Sequence, residues 1–272
     1  MPPRIDAPFV EKVLVAFIRE ELGKCGCRRG LLGLSGGLDS AVCAALAARA
    51  LGPENVLALV MPYGGAFPQD VRDALALARR LGIRHDVVDI SPQIDLYFAA
   101  HPAASRVRRG NKMARERMAI LYDRSAAEGG FILGTSNKTE LLIGYGTIHG
   151  DMACAVNPMG DLYKTQVREL ARHLRIPPAI RRKAPTAGLW PGQTDEGEIG
   201  LAYEELDAIL CELVEGREGR DAVVAAGHAA AAVDRVIGLI KGSEFKRRMP
   251  PIAKLSPRSV SHDFLYPYDW GK

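Results

Sequence analysis

At 272 residues the chain is long enough for one large domain or two small ones, and its net charge of +4 is too small to indicate nucleic-acid binding by itself. Hydrophobic residues make up 47% and charged residues 25%, which is ordinary for a globular protein. No apolar run approaches the roughly 20 residues that span a bilayer, and the five scattered cysteines favour a reducing compartment over a disulfide framework. We therefore expect a cytoplasmic enzyme that binds neither membrane nor nucleic acid.

The first half of the chain alternates apolar runs of strand length with longer segments of helical spacing. The predicted elements are a helix over 9–22, a strand over 30–34, a helix over 41–51, a strand over 56–61, a helix over 70–81 and a strand over 85–90. Two consecutive strand–helix–strand units predict a doubly wound parallel sheet flanked by helices, an α/β fold. Sites on such sheets lie at the carboxyl ends of strands, near a reversal in strand order.

The second half is predicted to be mainly helical. The predicted elements are a helix over 106–127 that opens with a basic run over 106–117, a strand over 130–133, a helix over 162–174, a long polar segment over 183–200, an amphipathic segment over 203–214, and an alanine-rich helical segment over 222–241 interrupted by Gly227. The polar segment is the best candidate for a mobile loop. We interpret residues 1–272 as a single domain with a helical C-terminal extension from about 201 to 272.

The turn after the first predicted strand carries the strongest chemical signal. It reads Ser35-Gly36-Gly37-Leu38-Asp39-Ser40 and precedes an alanine-rich helix. Glycines let the backbone approach a ligand closely, and the helix start offers unpaired N–H groups to an anion such as a phosphate. A carboxylate at Asp39 would repel a phosphate unless it holds a bridging divalent cation. The alternative is a tight turn in which Asp39 is only an acidic residue of the first helical turn.

A second polar segment, Gly134–Glu140, follows the strand predicted over 130–133 and should lie at the same sheet edge. Thr135 offers a hydroxyl group, and Glu140 offers a carboxylate on the next helix. Asp39 and Glu140 together would suit one Mg²⁺, which takes one or two carboxylates besides phosphate oxygens. The alternative is that Thr135 caps a helix and Glu140 is a solvated helix residue.

The glycine turn resembles the pyrophosphate-binding loop of the ATP pyrophosphatase superfamily, whose motif is Ser-Gly-Gly-x-Asp-Ser. With the segments 110–118, 134–140, 157–165 and 189–196, the chain resembles the NAD synthetase family over roughly residues 10–260. The resemblance implies a Rossmann-like fold of the ATP pyrophosphatase type. It also implies ATP-dependent amidation of deamido-NAD (nicotinic acid adenine dinucleotide) by ammonia, through an adenylated intermediate, giving NAD, AMP and pyrophosphate.

The same resemblance implies roles for individual residues, with ATP as co-substrate and Mg²⁺ bound by Asp39 and Glu140. The implied ATP-binding residues are Gly33, Leu34, Ser35, Gly36, Gly37, Leu38, Asp39, Ser40, Thr135, Lys164 and Thr186. The positions implied to bind deamido-NAD are Arg115, Ile148, Ala155, Phe245 and Lys246. Three of these depart from the family: some members have Lys and Asp in place of Ile148 and Ala155, and others have His in place of Phe245.

The chemistry also needs a group that receives a proton from ammonium or from the amine adduct, and Asp151 is our candidate catalytic residue. Asp151 and His149 are also alternative polar contacts for deamido-NAD.

Partners follow partly from the resemblance and partly from length. The family's substrate site lies at a homodimer interface, so we expect a dimer. Glutamine-using members carry a large N-terminal glutaminase domain, whereas here the phosphate loop begins by residue 35. We therefore expect direct use of ammonia, and a separate glutaminase subunit remains possible.

Three other functions remain open. One is another ligase of the superfamily, such as GMP or asparagine synthetase. The others are a tRNA-modifying enzyme whose basic run 106–117 binds RNA, and a nucleotide-binding regulatory protein without catalysis.

Overall fold

A computed structural model describes residues 2–260 of the chain. In chain order its elements are α1 Ala7–Lys24, β1 Gly30–Gly33, α2 Leu38–Leu51, β2 Val56–Val60, α3 Pro68–Leu81, β3 Arg84–Val87, α4 Ser91–Ala99, α5 Arg106–Glu128, β4 Phe131–Ile132, α6 Lys138–Ile143, α7 Lys164–His173, α8 Pro178–Arg181, α9 Asp195–Ile199, α10 Tyr203–Val214, α11 Arg220–Ala225 and α12 Ala230–Gly242. Within this range, no helix is both long enough and apolar enough to cross a membrane.

The strands of the described chain form one parallel sheet in the order β3-β2-β1-β4. Gly30 of β1 lies opposite Val56 of β2 on one side and Phe131 of β4 on the other. The chain runs outward from β1 through β2 to β3 and then returns to the other side of β1 for β4. The predicted doubly wound α/β fold is therefore confirmed, and its strand order reverses beside β1.

Each face of the sheet is covered by helices, because successive side chains of a strand point to opposite faces. Leu32 packs into a core with α1, α2 and α7, whereas its neighbour Leu31 packs into a separate core with α4 and α5. Both side chains are fully buried. Burial on both faces explains why β1 and β2 read as continuous apolar runs rather than as alternating patterns.

Helix α2 lies across the sheet and positions the glycine turn. Its alanine-rich sequence favours helix, and small side chains let it pack closely against α1, α3 and α7. The helix begins at Leu38 rather than at the predicted residue 41, because Gly37 adopts an extended N-cap conformation. Asp39 and Ser40 therefore lie in the first helical turn.

The C-terminal helices form a third hydrophobic cluster. Residues of α10 and α12 pack there with Ile143 at the end of α6 and with Tyr163 just before α7. Gly227, with φ +108°, separates α11 from α12, which confirms the predicted interruption. Residues 261–272 of the predicted extension lie outside the described residues, and the division at about residue 201 stays a prediction.

The structure corrects several predicted boundaries. The segment over 183–200 is not wholly irregular, because α9 forms within it behind Thr194, whose hydroxyl accepts the N–H of Gly197. Strand β3 ends at Val87 rather than at residue 90, although the backbone N–H groups of Val88 and Ile90 still donate to residues 60 and 62. The sequence does not predict α4 or α8, and it predicts α6 only as the helix that carries Glu140, without bounds.

Candidate active site

A cavity of about 500 Å³ opens at the carboxyl ends of β1, β2 and β4. Its wall includes residues from the glycine turn, the turn after β4, the start of α7 and the segment 183–190. Sequence segments far apart in the chain therefore meet at the sheet edge where the strand order reverses, as predicted from the strand pattern.

The glycine turn forms one wall and is held in shape by its own serines. The Ser35 hydroxyl accepts the N–H of Gly37 at 3.2 Å, and the Ser40 hydroxyl accepts the N–H of Ser35 at 3.2 Å. Gly36 has φ +82°, and a Cβ there would lie 2.3 Å from the carbonyl oxygen of Asp70 on α3. A side chain is therefore excluded at Gly36 both by its backbone conformation and by the close approach of α3.

The side chains of Asp39, Glu140 and Lys164 converge beside this turn. The Lys164 ammonium lies 2.6 Å from Oδ2 of Asp39 and 3.1 Å from Oε1 of Glu140, and only 3% of the Lys164 side chain is exposed. Burial alone would lower the pKa of Lys164, but the two carboxylates raise it, so it is a cation. Burial raises the pKa of Glu140 to about 7, and the charge of Lys164 opposes that rise.

The position of Glu140 follows from how α6 begins. Asn137, not Thr135, is the N-cap: its side chain accepts the N–H of Glu140 at 3.0 Å, and Oε2 of Glu140 accepts the N–H of Asn137 at 3.3 Å. The Asn137 amide also donates to Oδ1 of Asp39 at 3.0 Å. Thr135 lines the cavity and does not cap α6, and Glu140 is half-buried rather than solvated. The alternative interpretation of these two residues as a helix cap and a solvated helix residue is therefore wrong.

Asp39 and Glu140 give the cavity a pair of hard oxygen donors. Among residues 2–260, no group of three or more His, Cys, Asp or Glu side chains is arranged to hold a metal ion alone. A cation at this pair would therefore need further ligands from substrates or water, which is the usual situation for Mg²⁺ beside phosphates.

A hydrogen-bonded group of acids and tyrosines, missed from the sequence, lies behind Lys164. Asp195 is 4% exposed, and its carboxylate accepts hydrogen bonds from Tyr203 at 3.1 Å and from Tyr145 at 3.0 Å. Glu198 shares the single hydroxyl proton of Tyr145 with Asp195, because its Oε2 lies 2.6 Å from the hydroxyl oxygen. Burial raises the pKa of Asp195, while Lys164 lowers it. The available signal was Thr194 followed by three acids and Gly200, which marks a short capped helix.

Lys183, to which the sequence assigned no role, joins three parts of the cavity wall. Its ammonium donates to the carbonyl oxygen of Gly36 at 3.2 Å and pairs with Asp70 and Asp73 of α3, each at 2.6 Å. The segment that leads to Thr186 is therefore anchored to the glycine turn and to α3. No local sequence signal could have predicted these partners.

The predicted ATP-binding positions converge in one place. Apart from Gly36, whose packing against α3 is described above, all of them belong to the cavity wall, including Lys164 and the exposed Thr186.

The predicted deamido-NAD positions are more dispersed. Lys246 lines the cavity, and its ammonium donates to the carbonyl oxygens of residues 144 and 146, each at 2.8 Å. Arg115 donates to the carbonyl oxygen of Ile148 at 3.1 Å, but neither belongs to the cavity wall. Ala155 and the 59% exposed Phe245 also lie outside that wall.

Asp151 lines the cavity and accepts the N–H of Thr147 at 2.8 Å. Although its side chain reaches solvent, the protein packed around the carboxylate raises its pKa, whereas Lys246 and Arg117 lower it. His149, the other polar candidate of this segment, is exposed and has φ +60°.

Sequence and fold comparisons place the chain among known proteins. The family model for NAD synthase matches residues 10–250. The chain is 50% identical over 268 residues to the NH(3)-dependent NAD(+) synthetase of Trichlorobacter lovleyi, covering 98% of each chain. An NMN synthetase from Francisella tularensis superposes with a TM-score of 0.82 at 33% identity, covering 92% of this chain and 99% of that one. An NH3-dependent NAD synthetase from Campylobacter jejuni superposes with a TM-score of 0.79 at 33% identity, covering 92% of this chain and 100% of that one.

Proposed function

The chain belongs to the NAD synthase family, and from that membership we propose that it is an ammonia-dependent ligase that converts the nicotinate carboxylate of deamido-NAD into the carboxamide of NAD. ATP is the co-substrate, and AMP and pyrophosphate are released. One observation carries the proposal at the level of the site: Asp39, Glu140 and Lys164 converge beside a Ser-Gly-Gly-x-Asp-Ser turn inside the cavity.

Mg²⁺ fits the chemistry of this pair of carboxylates. Asp39 and Glu140 would hold the ion, and when bound it would neutralise charge on the phosphates of ATP. The ammonium of Lys164 already lies between the two carboxylates, so the site tolerates a positive charge there.

The reaction divides into two displacements. A carboxylate oxygen of deamido-NAD attacks the α-phosphorus, so a new C–O–P link forms while the bond to pyrophosphate breaks. Ammonia then attacks the activated carbonyl carbon, and AMP leaves with the former carboxylate oxygen. Charge accumulates on phosphoryl oxygens, which Lys164 and the N–H groups of the glycine turn would stabilise. Asp151 would take the proton that the amine adduct releases.

The segment 183–190 would cover the adenylate. Thr186 would contact ATP from it, and Thr135 would contact ATP from the turn after β4. Exclusion of water by such a cover protects an acyl-adenylate from hydrolysis. The anchoring of Lys183 to Gly36 supports a fixed position for the start of this cover.

We also propose that the enzyme is a cytoplasmic homodimer and that residues 1–272 act as one domain. Arg115, Ile148, Ala155 and Phe245 lie outside the cavity wall, which is consistent with a deamido-NAD site completed by a second copy. Sedimentation equilibrium at assay concentration tests this point, and a monomer with full activity would contradict it. A separate glutaminase is not needed if free ammonium supports turnover.

The similarity to an NMN synthetase raises a second candidate, since amidation of the nicotinate mononucleotide uses the same chemistry on a smaller substrate. The deciding experiment incubates purified protein with ATP, Mg²⁺, ¹⁵N-ammonium and either deamido-NAD or the mononucleotide. Mass spectrometry of the products should find ¹⁵N-labelled NAD, AMP and pyrophosphate, with higher kcat/KM for deamido-NAD. Higher kcat/KM for the mononucleotide would favour the second candidate, and no labelled amide from either would reject both.

A further inference from the structure

Helix α5 presents one face to the cavity, and that face carries a single charged side chain. The cavity-lining residues of this helix are Val107, Asn111, Ala114, Arg117, Met118 and Leu121. Positions 107, 111, 114, 118 and 121 follow one another at three or four residues, which is the spacing of one helical face, and Arg117 lies three residues after Ala114 on that face. The other basic residues of the run 106–117 do not belong to the cavity wall, so Arg117 is the one that the helix directs into it.

One hydrogen bond orients the Arg117 side chain. Its Nε donates to the carbonyl oxygen of Met61, immediately after β2, at 3.0 Å. In residues 2–260 no carboxylate forms an ion pair with the guanidinium, and its two terminal amino groups donate no hydrogen bond. Those amino groups remain available as the parallel pair of donors that a carboxylate or phosphate accepts.

The charge around Arg117 is incompletely balanced. Asp151 is the neighbouring carboxylate that acts on it, and the same carboxylate also faces Lys246. Arg117 is partly buried, and this loss of hydrating water lowers its pKa to about 10, so the cation is held in an unfavourable environment. An anion bound in the cavity would relieve that cost, because a desolvated cation gains most from a paired negative group.

We propose that Arg117 is a substrate-binding residue whose two terminal amino groups hold an oxyanion of a bound substrate. The inference rests on the proposed function, which supplies three such groups: a phosphate of ATP, the diphosphate of deamido-NAD and its nicotinate carboxylate. Each accepts a two-pronged hydrogen bond from a guanidinium.

The test measures equilibrium binding by calorimetry to the full chain and to Arg117→Gln, with ATP, deamido-NAD and NAD as separate ligands. Deamido-NAD and NAD differ only in that NAD has a neutral carboxamide in place of the carboxylate. Loss of a hydrogen-bonded charge pair should weaken binding about tenfold to a hundredfold. Arg124→Gln is the matched control, because Arg124 lies on the same helix, pairs with Asp86 and does not belong to the cavity wall.

If the carboxylate is the partner, Arg117→Gln weakens deamido-NAD binding, while NAD and ATP binding are unchanged. If the diphosphate is the partner, deamido-NAD and NAD binding weaken equally and ATP binding is unchanged. If a phosphate of ATP is the partner, only ATP binding weakens. Each of these results supports the proposal. Arg117→Lys should then bind more tightly than Arg117→Gln, because lysine keeps the positive charge but lacks the parallel pair of donors.

Two results would overturn it. In one, no affinity changes by more than about twofold, which is the scatter expected of a surface substitution such as Arg124→Gln. In the other, all affinities fall together with the thermal midpoint and Arg117→Lys restores none of them, which indicates a structural role. Failure of the wild-type protein to bind deamido-NAD would reject the proposed function instead, and the ATP measurement would still test Arg117.

Discussion

Lys164 and Asp39 are 125 residues apart in sequence, yet the Lys164 ammonium donates a hydrogen bond of 2.6 Å to the Asp39 carboxylate. Helix α7 begins at Lys164 and α2 begins one residue before Asp39, so two helix starts meet at the same edge of the sheet. The pair brings opposite charges into a half-buried place, where their attraction is less screened than at the surface.

Replacing Lys164 by Met should impair both stability and catalysis. The change leaves Asp39 and Glu140 close together without a counter-charge. We therefore expect the free energy of unfolding, measured by urea titration, to fall by about 3 kcal/mol. At a temperature where the variant is folded, kcat/KM should fall about a hundredfold or more. Lys138→Met is the control: its acidic partners Asp161 and Glu215 are exposed, so the loss should be about 1 kcal/mol or less. Equal losses in the two variants would contradict the special role of Lys164.

The raised pKa of Glu140 predicts a specific pH dependence of stability in metal-free buffer. The carboxyl keeps its proton up to about pH 7 in the folded chain, against an ordinary value of 4.5. The folded state therefore binds more protons than the unfolded state between these pH values. The contribution of Glu140 to the free energy of unfolding is complete below about pH 4.5 and is lost as pH rises through 7. Glu140→Gln should flatten the decline in unfolding free energy across this window. An unchanged slope would show that Glu140 ionises normally.

The two glycines of the turn should respond differently to alanine. At Gly36 the positive φ and the nearby Asp70 carbonyl oxygen oppose a Cβ, so Gly36→Ala should lower the unfolding free energy by about 1–3 kcal/mol and weaken ATP binding. At Gly37, with φ −87°, a Cβ would meet only the Ser35 hydroxyl, at 3.2 Å. Gly37→Ala should therefore be the milder change. Urea unfolding and ATP binding measure both variants, and the reverse order would refute this account of the turn.

Lys246→Ala should raise the KM for deamido-NAD more than the KM for ATP. Lys246 donates to the carbonyl oxygens of residues 144 and 146, and its charge acts on Asp151 in the same cavity. Arg248→Ala is a suitable control, because Arg248 is exposed and pairs locally with Glu244. Steady-state kinetics with each substrate varied in turn would separate the two effects, and equal increases would remove Lys246 from the deamido-NAD site.

Elements with a strong hydrophobic pattern were predictable from sequence. Strands β1 and β2 are buried on both faces, and α10 coincides with the amphipathic segment 203–214, so burial and pattern agree. Helix α9 was missed because it is short and polar, and its stability depends on capping and on packing of Asp195 beneath tyrosines. Strand β3 was overextended because its apolar residues continue into a backbone that pairs with β2 beyond the regular strand.

The site could be predicted only as far as strand topology reaches. Asp39 and Glu140 follow strands that lie side by side, so the sheet edge brings them together whatever surrounds them. Lys183 and Arg117 are positioned by contacts with other segments of the chain. Lys183 pairs with Asp70 and Asp73 of α3, and Arg117 donates to the carbonyl oxygen of Met61. Their partners depend on how helices pack over the sheet, which a local sequence pattern does not encode.

Glu140 uses its two carboxylate oxygens for different purposes. Oε2 accepts the backbone N–H of Asn137 and completes the start of α6, while Oε1 accepts a hydrogen bond from Lys164 in the cavity. A library randomised at this position and screened only for folded protein would therefore already be biased toward glutamate and glutamine. A second screen for catalysis should then reject glutamine, so the two selections together would separate the residue's contribution to assembly of the helix from its contribution to turnover.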